Sequence, residues 1–421
     1  MPRPFARAHG RHAYRTPAGE GMQPLGFLLD VQLDVAGPEM KNERGQNLLK
    51  RVDLIVGGAF LYILGALRKK RRLPAECTTA GIFAFAAIGD SILSSIIISE
   101  LRKVKKISRI VVFASRSNAR IYDLFDGLDE VVIVPLTSPL NALKEIKKYE
   151  VDVLIDTSQW PRISAILAAF TKTKFTIGFK TRNQFRHYAY DASVEHCEGL
   201  HELDNFRRLL RPLGIESTEH PKITKAIRPS NLPFVIDDKY VVFHPWASGT
   251  NFAMREWPME CWRDLAHVLI DNGHAIVITG GPEDATRAQQ LVELIGSQKV
   301  VSVAAKVSLT EVVGIVRRAE CIVCVNTGIM HLSAMLDTPM ISLHGPTNPF
   351  RWGPVGKERG VLAVSKREGG MFLSLGFEYP RNAKYVMEKI SVASVADVLS
   401  EVYSINLGRH DKKPAGEAFA S

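Results

Sequence analysis

Short apolar runs, each closing on glycine or a small polar residue and followed by a helix-length amphipathic stretch, recur along this chain from residue 81 onward. GIFAFAAIG is the first. Asp90 and Ser91 then open ILSSIIISELRK, which ends in basic residues as a helix C-terminus favours. RIVVFAS, EVVIVPL and VDVLIDTS repeat the buried-strand pattern at helix-length spacing. Such alternation builds a parallel sheet with helices on both faces, so the fold class is α/β. At 421 residues the chain is too long for one ordinary core. A Pro-rich, polar stretch, PLGIESTEHPKITKAIRPSNLP, divides it where an interdomain linker is expected.

Beyond that stretch the pattern starts again. YVVFHPW reads as a strand, EWPMECWRDLAHVLIDNG as a helix ending at glycine, and AIVITGG as the next strand. A helix over 284–295, KVVSVAA, a helix over 309–319, CIVCVNTG, a helix from Gly328 and PMISLHGP complete it. The expected architecture is two Rossmann-like domains facing a central cleft, 77–232 and 233–405. Residues 383–403 read as a closing helix, and 406–421 as a disordered tail.

The N-terminal segment is of a different kind. Residues 1–76 hold thirteen Lys/Arg against seven Asp/Glu, so six of the ten net positive charges sit there. The remainder is only mildly basic, which argues against a nucleic-acid stripe. A basic extension fits an anionic surface such as the cytoplasmic leaflet of a membrane. Residues 1–39 carry no periodic pattern and read as disordered, or as translation upstream of a start at Met22 or Met40; no apolar core follows the early arginines as a secretory leader requires. Residues 40–76 form a basic, hydrophobic extension around VDLIVGGAFLYILGAL, flanked by Lys50, Arg51 and the basic run 68–72. This run is short for a membrane span and contains Asp53 and three glycines. It is either a helix packed on the body or an interfacial helix whose basic ends meet anionic lipid.

Five cysteines, an odd number, show no disulfide framework and read as reduced cytosolic thiols. Cys321 and Cys324 form a C-x-x-C inside a strand. Residues three apart on a strand face opposite sides, so the pair is not expected to share a metal.

Four segments carry candidate chemistry. In CIVCVNTGIMHLSAMLDTPMISLHGPTNPFRWGP a strand ends at Asn326, and Thr327 and Gly328 turn into a helix bearing His331. Helix amides at such a turn present the positive end of the dipole to phosphate. Thr327 offers a hydroxyl, Gly328 a close backbone approach, and His331 a donor to phosphate or sugar; the alternative for His331 is a core histidine. The rigid GPTNPFRWGP loop ends the next strand and flanks the same cleft. In HPWASGTNFAMREWP, Ser248, Gly249, Thr250 and Arg255 suit a diphosphate. In TGGPEDATRA, Glu283 or Asp284 suits ribose hydroxyls, with helix capping by Asp284 the alternative. In Ala87-Ile88-Gly89-Asp90 the carboxylate is placed to accept a proton from an attacking hydroxyl, or to cap the helix.

Together these segments resemble glycosyltransferase family 9, the bacterial heptosyltransferases of lipopolysaccharide core synthesis, from about Gly81 to Val402. The resemblance implies a GT-B fold, inverting transfer from an ADP-activated heptose and no metal or other cofactor. It implies Asp90 as catalytic base, Ser248 and Arg255 around the donor phosphates, and Thr327, Gly328 and His331 in the donor-binding turn. Asn326 stands where the family usually has aspartate, and Arg255 where lysine is common, so another nucleotide-linked sugar is an alternative to heptose. The implied partners are a nucleotide-sugar donor, a lipid-linked or oligosaccharide acceptor and the inner face of an anionic membrane, placing the protein in the cytoplasm. Alternatives are a nucleotide-sugar epimerase of the same shape, or a non-catalytic sugar-nucleotide binder. A dehydrogenase is disfavoured because no G-x-G-x-x-G follows the first strand of either half.

Overall fold

The computed structural model describes residues 53–225, 239–249, 251–356, 359–375, 378–403 and 405. The readings of 1–39, of 40–52 within the extension, of Thr250, of linker residues 226–238 and of the tail 406–421 lie outside the described residues.

Two six-stranded sheets organise the rest. The first holds β1 (Thr79–Ala84), β2 (Arg109–Ala114), β3 (Glu130–Ile133), β4 (Val153–Asp156), β5 (Phe175–Lys180) and β6 (Ala192–Glu195), in the order β3-β2-β1-β4-β5-β6. The second holds β7 (Tyr240–His244), β8 (Ala275–Ile278), β9 (Val300–Ser302), β10 (Cys321–Val325), β11 (Met340–His344) and β12 (Arg359–Ala363), in the order β12-β11-β10-β7-β8-β9. All neighbouring strands pair in parallel. Both sheets thus have the same doubly wound order, and this is the GT-B architecture. In each, the winding reverses between the first and fourth strands, β1/β4 and β7/β10. A crevice opens at such a switch point, outside the carboxyl ends of the strands. The central strands are buried on both faces, as parallel strands covered by helices must be. Cys321 and Cys324 illustrate it: the first packs in the core with Val241 and Phe243, the second in the core on the other face with Val242 and Met330.

Local sequence accounts for most helices. Met259–Asp271 buries Trp262, Leu265, Ala266 and Leu269, an apolar stripe at helical spacing. Leu309–Arg318 starts at a capping box, in which Ser308 Oγ accepts from Glu311 N and Glu311 Oε2 accepts from Ser308 N. ILSSIIISELRK is two helices rather than one, Ile88–Ser94 and Ile96–Lys103. The hydroxyls of Ser91, Ser94, Ser95 and Ser99 each donate to a carbonyl three or four residues back, a bond that bends helices. The closing helix spans Val392–Tyr403, starting later than the sequence pattern suggests, after a separate 3-10 turn at Met387–Lys389. The strands β5, β6 and β12 escape the sequence pattern.

The extension packs on the first half. Asp53 begins a π-helical turn, Asp53–Gly57, that leads into the helix Gly58–Leu67. Its carboxylate accepts from Arg162 N at 3.1 Å and Ile163 N at 3.0 Å, satisfying the start of the helix Arg162–Ala169. Arg68 and Arg71 both pair with the buried Asp191 carboxylate, at 3.1 and 2.8 Å. At Gly65 an added Cβ would lie 2.4 Å from the Tyr188 ring, so only glycine allows the helix this close. Among the described residues no helix is long and apolar enough to cross a membrane.

Candidate functional site

The two switch points meet. Gly89, on the turn after β1, approaches His331 on the helix after β10: a Cβ at Gly89 would lie 3.0 Å from His331 Cδ2. Gly328 sits against Ile88, whose Cγ2 would be 2.8 Å from a Cβ at 328. Val313 and Leu332 of the second half join the core of the first. The helices Ile88–Ser94 and Gly328–Met335 therefore start against one another, and the side chains singled out on each turn share one neighbourhood. The glycine at 328 is required by Ile88 of the opposite half, a packing reason distinct from backbone approach to a phosphate.

Asp90 is half-exposed at the third position of its helix, where Ala87 is the N-cap. Its Oδ2 accepts from Ala87 N at 3.2 Å, and its Oδ1 accepts from Gln159 Nε2 at 3.2 Å. The carboxylate is thereby held at both oxygens and stays half-exposed. Gln159 lies just past the end of β4, the other strand of the first switch point, and is 4% exposed. Its Nε2 also donates to Glu202 Oε1 at 3.1 Å. With a carboxylate on either side, the amide nitrogen and not its oxygen must face both.

Glu202 receives Arg351 Nη2 on Oε2 at 2.7 Å and His196 Nε2 on Oε1 at 2.9 Å. This carboxylate is fully buried and Arg351 is 1% exposed, so the pair is an interior ion pair across the two halves. Burial opposes its charge, but the hydrogen bonds from His196 and Gln159 and the Arg351 guanidinium hold the Glu202 carboxyl below the usual range. Arg351 Nη1 also donates to the carbonyls of Cys197 and Glu198, at 3.1 and 2.8 Å. Two residues on, Gly353 O accepts from His201 Nε2 at 3.0 Å, while His201 Nδ1 accepts from Leu203 N, which settles that tautomer.

On the second half, Thr327 is the N-cap of Gly328–Met335, its hydroxyl oxygen accepting from Ile329 N at 3.1 Å. Asn326 Nδ2 donates to Trp352 O at 3.1 Å, pinning the GPTNPFRWGP loop to the turn. An aspartate could not make that bond, because a carboxylate has no proton to give. His331 is 5% exposed, and its Nδ1 has no hydrogen-bond partner among the described residues. Burial, with His201 and His344 close by, holds its pKa at about 3, so the ring is neutral at pH 7. It can offer one N–H but no positive charge. His244 and His344 are likewise held down by burial, at about 4 and about 3.

Positive charge comes instead from Arg255, which follows β7. Its guanidinium donates to the Ser248 backbone carbonyl and lies beside the Tyr379 phenol. Ser248 itself is exposed. Asp284 is committed locally: Oδ2 accepts from Gly281 N at 2.9 Å and Oδ1 pairs with Arg287 at 2.7 Å. Arg287 also pairs with Glu256 at 2.8 Å and covers the Trp246 ring, its Cζ 4.7 Å from the centroid, which stiffens the loop that carries Ser248 and Arg255. Glu283 is exposed beside Gly281. Ser248, Arg255, Glu283 and the Asn326–His331 turn all lie beyond the carboxyl ends of the adjacent strands β8, β7 and β10. Among the described residues no three His, Cys, Asp or Glu side chains gather as metal ligands.

Gln159, Glu202, His201 and Arg351 were not singled out in the sequence. Gln159 was open to detection, because VDVLIDTSQW ends at a switch-point strand where the strand-end rule applies. Arg351 lies in the GPTNPFRWGP loop, which was read as flanking the cleft without the arginine being named, and His201 and Glu202 come from a helix start with no distinguishing pattern.

The comparisons with known proteins follow the same ground. Residues 140–371, more than half of the chain, match glycosyltransferase family 9 (heptosyltransferase). Lipopolysaccharide heptosyltransferase 1 of Escherichia coli K12 is 34% identical over 163 residues, 38% of this chain and 46% of the relative, so the match spans about half of that protein. The lipopolysaccharide core heptosyltransferase OpsX of Haemophilus influenzae is 22% identical over 257 residues, 57% of this chain and 72% of the relative. Among solved structures, E. coli heptosyltransferase WaaC with ADP superposes with a TM-score of 0.62 at 21% identity, covering 77% of this chain and 99% of that one. A family 9 glycosyltransferase from Veillonella parvula gives 0.65 at 19% identity, covering 80% and 99%. The structural likenesses establish the fold; the family match runs from the first sheet through both strands of the second switch point, and on it the chain belongs to glycosyltransferase family 9.

Proposed function

We propose that this chain transfers a sugar, heptose by default, from a nucleoside-diphosphate donor, ADP-linked, to a lipopolysaccharide-core or other lipid-linked envelope glycan. The observation that carries the reading is the meeting of the two switch points: a half-exposed carboxylate, held at both oxygens, opposite a helix start with a hydroxyl cap and a buried histidine. Asp90 takes the proton of the acceptor hydroxyl as that oxygen attacks the anomeric carbon, and the nucleoside diphosphate leaves from the opposite face with inversion. Arg255, Ser248, Thr327 and the amides at Gly328 hold the leaving diphosphate without a metal ion, through preorganised donors each worth about 3 kcal/mol when aimed at developing charge. Glu283 takes the ribose hydroxyls, and Asn326 and His331 line the turn beside the sugar.

Replacing Asp90 with Asn keeps the shape and removes the base. Turnover of ADP-heptose with a heptose-deficient lipopolysaccharide acceptor should fall about 10²–10⁴-fold, while ADP still raises the melting temperature. Undiminished turnover would remove Asp90 from the mechanism.

The extension supports a peripheral seat on an anionic membrane, on the cytoplasmic side. Val56, Ala59, Phe60, Ile63, Ala66 and Leu67 form one outward stripe of the extension, all exposed and all apolar. Because Arg68 and Arg71 are spent on Asp191, the outward charges are Lys69, Lys70 and Arg72. An apolar stripe beside cations suits an interfacial helix. Flotation with phosphatidylglycerol vesicles should be lost in a Phe60→Ser, Ile63→Ser double variant and weakened by salt; salt-independent flotation of that variant would argue against this seat.

A further inference from the structure

We propose that Gln159 is a positioning residue that aims the Asp90 carboxylate, and that Arg351 of the opposite half sets it through Glu202. The proposal rests on Asp90 being the base. Each link is a direct hydrogen bond: Arg351 Nη2 to Glu202 Oε2 at 2.7 Å, Gln159 Nε2 to Glu202 Oε1 at 3.1 Å, and Gln159 Nε2 to Asp90 Oδ1 at 3.2 Å.

The chain continues at its far end. Asn326, on the turn assigned to the donor, holds the carbonyl of Trp352, the residue after Arg351. A continuous path of polar contacts therefore runs from the donor turn, through the GPTNPFRWGP loop and across the junction of the halves, to the carboxylate that faces the acceptor.

Three physical features make this more than a list of contacts. Gln159 has two N–H protons and gives one to each carboxylate, so displacing Glu202 moves the donor on which Asp90 depends. Glu202 stays ionised in the interior among Arg351, His196, Gln159 and Asn205, and its bond to Arg351 couples its position to the seating of the second half. Arg351 is itself clamped by the Cys197 and Glu198 carbonyls, so its fork cannot shift without releasing three bonds. Ala87 N, on the same turn, bonds the other oxygen. The Gln159 bond fixes the direction of Oδ1, and general-base catalysis is sensitive to displacements of an ångström.

The test uses the full chain with Gln159→Met, which keeps volume and removes both donors. Expected is a loss in kcat of roughly 10–100-fold, with the donor KM and the ADP-induced thermal shift unchanged. A crystal structure of the variant should show the Asp90 carboxylate turned from its present rotamer while the Glu202–Arg351 pair persists. Arg351→Lys, which keeps the charge but loses the fork, should lower kcat by a smaller factor in the wild-type background and by nothing further in the Gln159→Met background. A folded Gln159→Met protein with Asp90 unmoved, or with wild-type kcat, overturns the proposal. Asp90→Asn distinguishes the two readings. If it abolishes turnover and Gln159→Met does not, the relay fails and the base stands; if Asp90→Asn turns over normally, the base itself has failed. The crystallographic readout of Asp90 does not depend on which sugar the enzyme takes.

Discussion

The turn after β1 and the turn after β10 each flank the switch point of their sheet, one following the first strand of its winding and the other the fourth, and they are built oppositely. The first is capped by alanine, carries a carboxylate at its third helical position, and has that carboxylate held from outside by Gln159. The second is capped by its own threonine, contains no acid, and has an asparagine that holds a neighbouring loop. The first turn thus presents negative charge with a basic oxygen. The second presents N–H and O–H donors. One topology supplies two strand-end crevices, and the side chains on the turns decide which is suited to take a proton and which to take an anion.

The contrast can be broken where the halves join. Arg351→Met leaves Glu202 charged and buried without its main partner, and should cost about 3–5 kcal/mol, read from urea unfolding; a cost under ~1 kcal/mol would mean that the junction does not depend on this pair. The anion side can be sharpened at Arg255. Its replacement by methionine should weaken ADP binding about 10–100-fold, the value of a charge-assisted hydrogen bond, by calorimetry. Asp90→Asn should leave ADP binding unaffected. The two glycines provide a graded test. Alanine at 328 collides with the stiff Ile88 side chain at 2.8 Å and should cost about 1–3 kcal/mol. Alanine at 89 meets the edge of the His331 ring at 3.0 Å and should cost less, so melting temperatures should rank wild type, Gly89→Ala, Gly328→Ala.

A further effect is set by pH. His244, His331 and His344 are buried neutral, with folded values of about 4, 3 and 3 against an unfolded value near 6.5. Their folded pKa values are depressed, so the unfolded chain binds more protons between those limits. Their contribution to stability is complete above pH 6.5 and is lost as pH falls from there toward 3, by roughly 1.4 kcal/mol per pH unit for each histidine. His→Gln at 344, which keeps hydrogen-bonding capacity without the titration, should flatten that slope. Denaturation midpoints measured from pH 7.5 to 4.5 would show it, and an unchanged slope would exclude His344.

Much of this was legible before folding. Parallel strands declare themselves as unbroken apolar runs because both faces are covered, and every long run read as a strand is one. The strands β5, β6 and β12 are short or interrupted by polar residues, and only their neighbours in the sheet make them strands. The helix split at Ser95 was written in its serines, but hydroxyl back-bonding is chosen only when the chain has somewhere to bend. Asp90, Asn326, Thr327, Gly328 and His331 were singled out because each stands where an apolar run gives way to a helix, a place that can be read from the sequence alone. Their partners were not found, because Gln159 and Glu202 are ordinary side chains until an arginine 149 residues away from Glu202 is laid beside them.

The sequence by itself determined most of the strands and helices and which chemical groups stand at their ends, since these follow from periodicity, capping and position along a strand. Only the tertiary structure decided that the helix start at Gly328 rests on Ile88, that Asn326 serves a loop, and that Arg351 reaches Glu202 from the other half. Those outcomes depend on how two separately wound sheets face one another. That arrangement is settled by the complementarity of surfaces far apart in the chain, for which local pattern carries no signal.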